Sequence, residues 1–408
     1  MTNYGRSPWV ETYPKSRVPA HPRHRGTEPS PVVIVGGGLT GCATAYAFAA
    51  AGQKVVLLEA ERIGLGSTAA SLGLIAGEPG VALGEVEQAM GRKDARAAFQ
   101  AWRRAALDFQ ALLRRLDIPC HLQAGGAATV AITPEQMTRL KKEQKARRDA
   151  GLDVPMLTAK AVKAEVALDA VGAVRDKDAA VLDPYRACLG LAAAAAARGA
   201  TIFERSPVRR ITFTRRHATV FSAGGAIKAS RVVNATGMPT KLFASLERHF
   251  WFRDTYFALT EPVPARIRQQ LGRRTMVVRD LAQTPHIVRW FDDNRLLVGG
   301  ADAPSPAARV GDKLVVQRTG QLMYELSTLY PDISGLQPAF GWHAEYARTT
   351  DGLPYIGPHR NFPHQLFAFG DSSHSVTGAY LASRMLLRHH LGELEPADTA
   401  FAFTRYER

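Results

Sequence analysis

The stretch that most limits what this chain can fold into runs from Pro31 to Glu59. Val32-Val33-Ile34-Val35 is a β-branched run without a polar break, as in a strand buried on both faces of a parallel sheet. Gly36-Gly37-Gly38-Leu39-Thr40-Gly41 follows at once and satisfies G-x-G-x-x-G. Leu39 to Ala51 is Ala-rich and helical, and Gly52 ends it. Val55-Val56-Leu57-Leu58 is a second buried strand, with Glu59 at its end, eighteen positions beyond Gly41. A strand–helix–strand unit this short calls for an α/β fold around a parallel sheet. The spacing gives each residue a task. Gly36 allows the tight turn, Gly38 lets backbone approach a pyrophosphate, and Gly41 lets the helix pack close to the sheet. The helix start at Leu39 and Thr40 offers free N–H groups and partial positive charge, and Glu59 accepts hydrogen bonds from ribose hydroxyls. A carboxylate there repels a 2′-phosphate, which disfavours NADP. The fingerprint alone does not separate NAD from FAD.

Composition narrows the classes further. The chain has 408 residues, enough for two domains, and 46% hydrophobic with 22% charged residues is the balance of a folded chain. The net charge of +15 favours an anionic partner or simply reflects solvated arginines. The dense run Arg139 to Arg148, interrupted by Glu143, reads as a solvated helix face. With 8% aromatic residues and no recognised module, nucleic-acid binding is not expected. Cys42, Cys120 and Cys188 are far apart, without metal-ligand spacing or a disulfide framework. No metal site is expected, and a reducing cytoplasm is the default. The uncharged Pro31–Gln53 stretch carries too many glycines, behind too long a polar leader, for a targeting segment.

Along the chain, residues 1–30 are a basic, Pro-rich extended arm, loose or draped over the surface. Glu85 to Leu116 and Pro134 to Ala150 are expected helices. Val208 to Phe213, Ala218 to Ser222 and Ile227 to Ala235 form an expected β-meander. Thr255 to Thr260, Thr275 to Arg279, His286 to Phe291 and Leu296 to Val298 form a second, antiparallel sheet. The expected organisation is an α/β, Rossmann-like nucleotide-binding domain built from residues 31–85, 175–245 and 340–408, which the resemblance described next makes an FAD-binding domain. An antiparallel-sheet-plus-helices substrate domain, residues 86–174 and 246–339, is inserted into it.

Four further segments carry a family resemblance. Glu59-Ala60-Glu61-Arg62-Ile63-Gly64 leads into Gly66-Ser67-Thr68-Ala69-Ala70-Ser71. Val232-Val233-Asn234-Ala235-Thr236-Gly237 lies on the strand after the meander. Asp351-Gly352-Leu353-Pro354-Tyr355-Ile356-Gly357 and Phe367-Ala368-Phe369-Gly370, followed by the Thr377 helix, come last. In this order they resemble the FAD-dependent oxidoreductases that include D-amino-acid oxidase, glycine oxidase and sarcosine oxidase. The resemblance implies that Ala60, Arg62, Gly66, Ser67, Thr68, Ala70 and Ser71 lead from adenosine to flavin. It also implies cofactor contacts from Val208, Ala235, Thr236, Gly237, Gly352, Gly370, Asp371, Val376 and Thr377.

The chemistry so implied is hydride transfer to flavin N5 from the carbon beside a neutral amine of a small amine or amino acid, giving an imine. The cofactor performs the electron chemistry, and the protein orients the substrate. No cysteine precedes the Asp351 motif, where relatives attach flavin covalently, so noncovalent FAD is expected. Arg348, beside Tyr346, and Arg289 are the candidates for a substrate carboxylate, with Tyr256 and His374 as neutral helpers. Asp371 to Ser375 stands where relatives have a glycine-rich loop. The lysine that oxygen-using relatives hold over the flavin has no counterpart near Leu296 to Val298. The acceptor thus stays open between O2 and a quinone or carrier protein at a membrane surface. A catalytically silent FAD-binding protein is the non-enzymatic alternative.

Overall fold

The computed structural model describes residues 2–292, 294–305, 311–370 and 376–406. Val32–Val35 is the centre of a six-stranded sheet. Its order is Thr201–Phe203, Val55–Leu58, Val32–Val35, Arg231–Gly237, Gln365–Phe369, Tyr355–Pro358. The first five strands run parallel and the last is antiparallel. The uninterrupted apolar run of Val32–Val35 is explained by cover on both faces. Val32 and Ile34 face the helix layer, with Phe48 and Met385 in the same core. Val33 and Val35 face a small three-stranded sheet through Val220 and Ile227. That sheet is Val208–Phe213, Ala218–Ser222 and Gly225–Ala229. The expected third strand of the meander is therefore cut at Ser230, and Arg231–Gly237 joins the parallel sheet instead.

The second sheet has nine strands. Its order is Asn3–Tyr4, Pro338–Arg348, Trp251–Thr260, Leu296–Pro304, Ile287–Trp290, Val277–Arg279, Ala127–Ala131, Gly172–Asp176, Met156–Thr158. Side chains alternate across it. Phe257, Trp342 and Tyr346 face the core shared with the parallel-sheet half. Tyr256, Val288 and Val298 face away, packing with Leu322 and Leu326 of the helix Asp312–Leu329. The long strand Pro338–Arg348, which opens the last segment assigned to the cofactor half, is thus a member of this sheet.

Two local features depart from the expected elements. The helix expected over Glu85 to Leu116 is two helices, Leu83–Met90 and Arg92–Arg115. They break at Gly91, whose φ of +86° ends the first. The Arg139 to Arg148 run is not wholly solvated. It lies on the helix Pro134–Asp149, and Arg147 is buried, bonded to Glu143 at 2.6 Å and paired with Glu78.

The N-terminal arm is neither loose nor merely draped. Asn3–Tyr4 pairs in parallel with Phe340 and Gly341. Trp9 is buried, donates from Nε1 to the Ser71 carbonyl at 2.9 Å, and packs on the Phe291 ring. Further along, Gly26 bridges to Gly225. A buried indole with its N–H satisfied is a strong anchor.

Candidate active site

The glycine turn is built for close approach. Gly36 has φ +104°, and a Cβ there would lie 2.8 Å from the Ala235 carbonyl oxygen. A Cβ on Gly41 would run into the Gly36 carbonyl oxygen, so the helix Leu39–Ala50 can start against the turn only as glycine. Gly38 is the N-cap, and Thr68 Oγ1 accepts from Leu39 N at 2.9 Å, tying the turn to the short helix Ser67–Ala70. At the end of Val55–Leu58, the Glu59 carboxylate accepts from Gly37 N at 2.6 Å and Glu61 N at 2.8 Å. Burial pushes the Glu59 carboxyl above its usual pKa, against those amides. Each of its oxygens keeps a lone pair for a further donor.

From this turn a cleft of about 820 Å³, open to solvent, runs between the two sheets. Leu39, Thr40, Ser67, Thr68 and Ser71 line one end. Gly237, Gly370, Val376 and Tyr346 line the rest. Gly237 and Gly370 have φ of +75° and +101°, and Gly370 N donates to the Gly237 carbonyl at 2.9 Å. Thr377 Oγ1 donates to the Ala76 carbonyl and accepts from Ala76 N, and Val376 N donates to the Leu74 carbonyl. These bonds join the start of the helix Thr377–Leu391 to the strand Leu74–Ile75. A long cleft that begins at a side-chain-free turn, with a carboxylate beside it, fits an extended dinucleotide.

Other expected residues lie behind or beside the cleft. Ala235 sits under the glycine turn, and Thr236 Oγ1 donates to the Met238 carbonyl. Ala60, Arg62 and Gly66 are exposed. The Ala70 carbonyl accepts from Trp342 Nε1 at 3.0 Å. Val208 is half-buried, packed on the cluster with Val33 and Leu58. Gly352 has φ +72° and presses on Val81. Asp371 and His374 lie outside the described residues.

Two expectations about the substrate side are corrected. Tyr256 does not face the cleft. It pairs across the strands with His343, whereas Phe257 pairs with inward-facing Trp342. Its ring lies under Arg318 on the far side of the sheet. Arg289 is on the cleft-facing surface, but its guanidinium is engaged by backbone carbonyls. Its Nη1 donates to the Leu72, Leu182 and Gly73 carbonyls at 2.7, 3.0 and 3.3 Å, and its Nε to Trp290. The Trp9 ring lies 5.4 Å away, and burial pulls its pKa down to about 9. Arg348 shares the inward face with Tyr346, and its guanidinium is 3.4 Å from Asp302. Asp302 also accepts from Thr255 Oγ1 at 2.7 Å.

Arg279 is a residue that the sequence does not single out. It ends Val277–Arg279 on the inward face, and its electrostatic neighbours include both Arg348 and Asp302. The only available signal was its place two residues after Val277, in the same alternating phase.

The pattern of the family described as FAD dependent oxidoreductase matches residues 31–388. The chain is 28% identical to gamma-glutamylputrescine oxidoreductase of Escherichia coli over 380 residues, covering 91% of this chain and 85% of that protein. It is 25% identical to glycine oxidase of Bacillus licheniformis, covering 91% and 95%. Its fold is similar to the crystal structure of glycine oxidase from Geobacillus kaustophilus. The TM-score is 0.76 at 22% identity, over 92% of this chain and 99% of that one. No helix among the described residues is long and apolar enough to cross a membrane.

Proposed function

This chain belongs to the FAD-dependent oxidoreductase family, and on that premise we propose that it oxidises the C–N bond of a small amine or amino acid, giving an imine. The observation that carries this reading is the unbroken cleft from the glycine turn to the inward face of the nine-stranded sheet. The cleft that Leu39 and Thr40 line continues to Tyr346, on the sheet that bears Arg348. The named relatives, a gamma-glutamylputrescine oxidoreductase and glycine oxidases, support the same substrate class.

In this reading Gly36, Gly38, Gly41 and the start of the following helix hold the pyrophosphate, and Glu59 holds the adenosine ribose. Ser67 to Ser71, Gly370 and Val376 hold the flavin end. FAD, when bound, supplies the hydride acceptor. The chain's own residues orient the substrate. Arg348 offers a planar fork to a substrate carboxylate, with Asp302 fixing the guanidinium and Tyr346 beside it. We take the cofactor to be noncovalent, because Cys42, Cys120 and Cys188 are all buried and none lines the cleft. Three free thiols also fit a reducing cytoplasm.

The test is anaerobic flavin bleaching against amino acids and their matching simple amines. Arg348→Leu is expected to raise KM for the amino acid far more than for the amine, by about 2–5 kcal/mol of lost ion pairing. Equal losses on both would point to a neutral or cationic amine. Oxygen uptake compared with dye reduction on one preparation separates O2 from a quinone or carrier as acceptor.

A further inference from the structure

The four backbone carbonyls from Ala70 to Gly73 are each taken by a side-chain N–H from elsewhere in the chain. Trp342 Nε1 donates to Ala70 at 3.0 Å and Trp9 Nε1 to Ser71 at 2.9 Å. Arg289 Nη1 donates to Leu72 at 2.7 Å and to Gly73 at 3.3 Å. Of this segment Ser71 lines the cleft, whereas Trp342, Trp9 and Arg289 lie outside its lining. The Ser71 carbonyl is thus held by an indole set behind the cleft wall.

Trp9 is itself firmly seated. Its ring packs on Phe291 with centroids 4.5 Å apart, and the Arg289 guanidinium lies 5.4 Å over it. Ahead of it, Thr2 Oγ1 donates to the Pro338 carbonyl and Gly5 N to the Gly341 carbonyl, both at 2.8 Å. Pro338–Arg348 is the strand that brings Tyr346 to the cleft. Residues 2–9 therefore join the two walls of the cleft, the sheet wall through Pro338 and Gly341 and the cofactor wall through Ser71. Trp9 and Ser71 are both buried, so this hydrogen bond satisfies a donor and an acceptor that water does not reach. Without the indole donor the Ser71 carbonyl is left unsatisfied, and rotation of its peptide turns it to the cleft. A carbonyl oxygen on that side opposes negative charge, and a flavin gains negative charge on reduction.

We infer that Trp9 is a positioning residue of the flavin site: its N–H holds the Ser71 carbonyl off the cleft and so favours the reduced cofactor. This rests on the reading above, in which Ser67 to Ser71 hold the flavin end. It gives the N-terminal arm, which lies outside the matched family segment 31–388, a part in the redox chemistry.

The test is the midpoint potential of the flavin in FAD-loaded, full-length protein, read by reductive titration against a reference dye. Trp9→Phe keeps a ring against Phe291 and Arg289 but has no N–H to donate. Its potential is expected to fall by about 30 mV or more, a ten-fold change in the ratio of reduced to oxidised flavin. Arg6→Ala, which breaks only the exposed pair with Glu11, should keep the wild-type potential. Phe291→Leu loosens the indole without removing its N–H and should lower the potential by less; it carries the measurement if Trp9→Phe does not retain flavin. Ser71→Asp sets a charge on the cleft wall itself and should lower the potential or strip the FAD. Melting temperature and FAD content confirm that each variant is folded. A Trp9→Phe potential equal to or above wild type, with Ser71→Asp affected, overturns the role of Trp9 and leaves the cleft reading standing. If neither variant differs from wild type, the flavin does not lie at Ser71 and both fall. An equal fall in Arg6→Ala and Trp9→Phe would assign the effect to the arm as a whole and overturn the assignment to the indole N–H.

Discussion

Arg405 reaches back across 54 residues of sequence to donate to Asp351 at 2.7 Å, with both side chains almost wholly out of solvent. The same guanidinium donates to the Leu353 and Pro354 carbonyls and lies 3.7 Å over the Tyr355 ring. The turn that the sequence marks as Asp-Gly-Leu-Pro is thus locked by the end of the chain. Asp351 in turn accepts from Leu353 N, which fixes the path of the backbone into Tyr355–Pro358.

Removing one partner leaves a buried charge without compensation. Arg405→Leu or Asp351→Asn is expected to cost about 3–5 kcal/mol. Chemical denaturation of the purified variants checks this, and a double variant should lose less than the sum of the two. A shift within error for Arg405→Leu would mean that the chain end does not clamp the turn.

Glu59→Gln keeps the shape but loses the charge, and replaces one acceptor with a donor beside the amides of Gly37 and Glu61. FAD should bind about ten-fold more weakly, the equivalent of about 1.4 kcal/mol. Flavin fluorescence on titrating apoprotein reads this directly, and unchanged affinity would remove Glu59 from the ribose site.

Arg289→Leu is expected to act on the fold and not on substrate choice. It strips hydrogen bonds from four carbonyls, among them Leu72 and Leu182, at about 1–3 kcal/mol for each left unsatisfied. The denaturation midpoint should fall, whereas the ratio of KM for an amino acid to that for its matching amine stays at the wild-type value. A changed ratio at unchanged stability would return Arg289 to the substrate site.

His286 gives the protein a pH signature. Its ring lies between Asp280 at 2.6 Å and Glu325 at 2.8 Å, tying the nine-stranded sheet to the helix Asp312–Leu329. Burial pulls its pKa down, but the bonds and charges of Asp280 and Glu325 outweigh this, and the net shift is upward. A raised folded pKa adds stability that is complete below the unfolded value of about 6.5, and is lost as pH rises through the folded one. Melting temperature relative to His286→Asn should therefore fall as pH rises above about 6.5. A difference that does not vary with pH would show that the imidazolium is not formed there.

The parallel-sheet half was legible because its signals are local. Val32–Val35, the glycines at 36, 38 and 41, and Glu59 fall within one strand–helix–strand unit, where spacing dictates geometry. The inward face of the nine-stranded sheet was not. A one-residue shift in phase turns a strand over, and Trp251–Thr260 has a register irregularity against Leu296–Pro304 between Asp254 and Tyr256. The side of the sheet that Tyr256 occupies is accordingly not legible in the sequence. Arg289 and Arg279 look alike as arginines on β-rich segments. Carbonyls from Leu72 and Leu182, remote in sequence, consume the first, and among the described residues no acid is ion-paired with the second. Such differences exist only after folding.

Trp9 and the Asn3–Tyr4 strand carry a consequence for biogenesis. Ribosomes deliver the N-terminus first, yet the partners of this arm are Ser71, Phe291 and the Phe340–Gly341 pair. Asn3 and Tyr4 must therefore wait for more than three hundred later residues before they can pair. Pairing of Asn3–Tyr4 thus comes after synthesis of the Phe340–Gly341 strand, late in the making of the described fold.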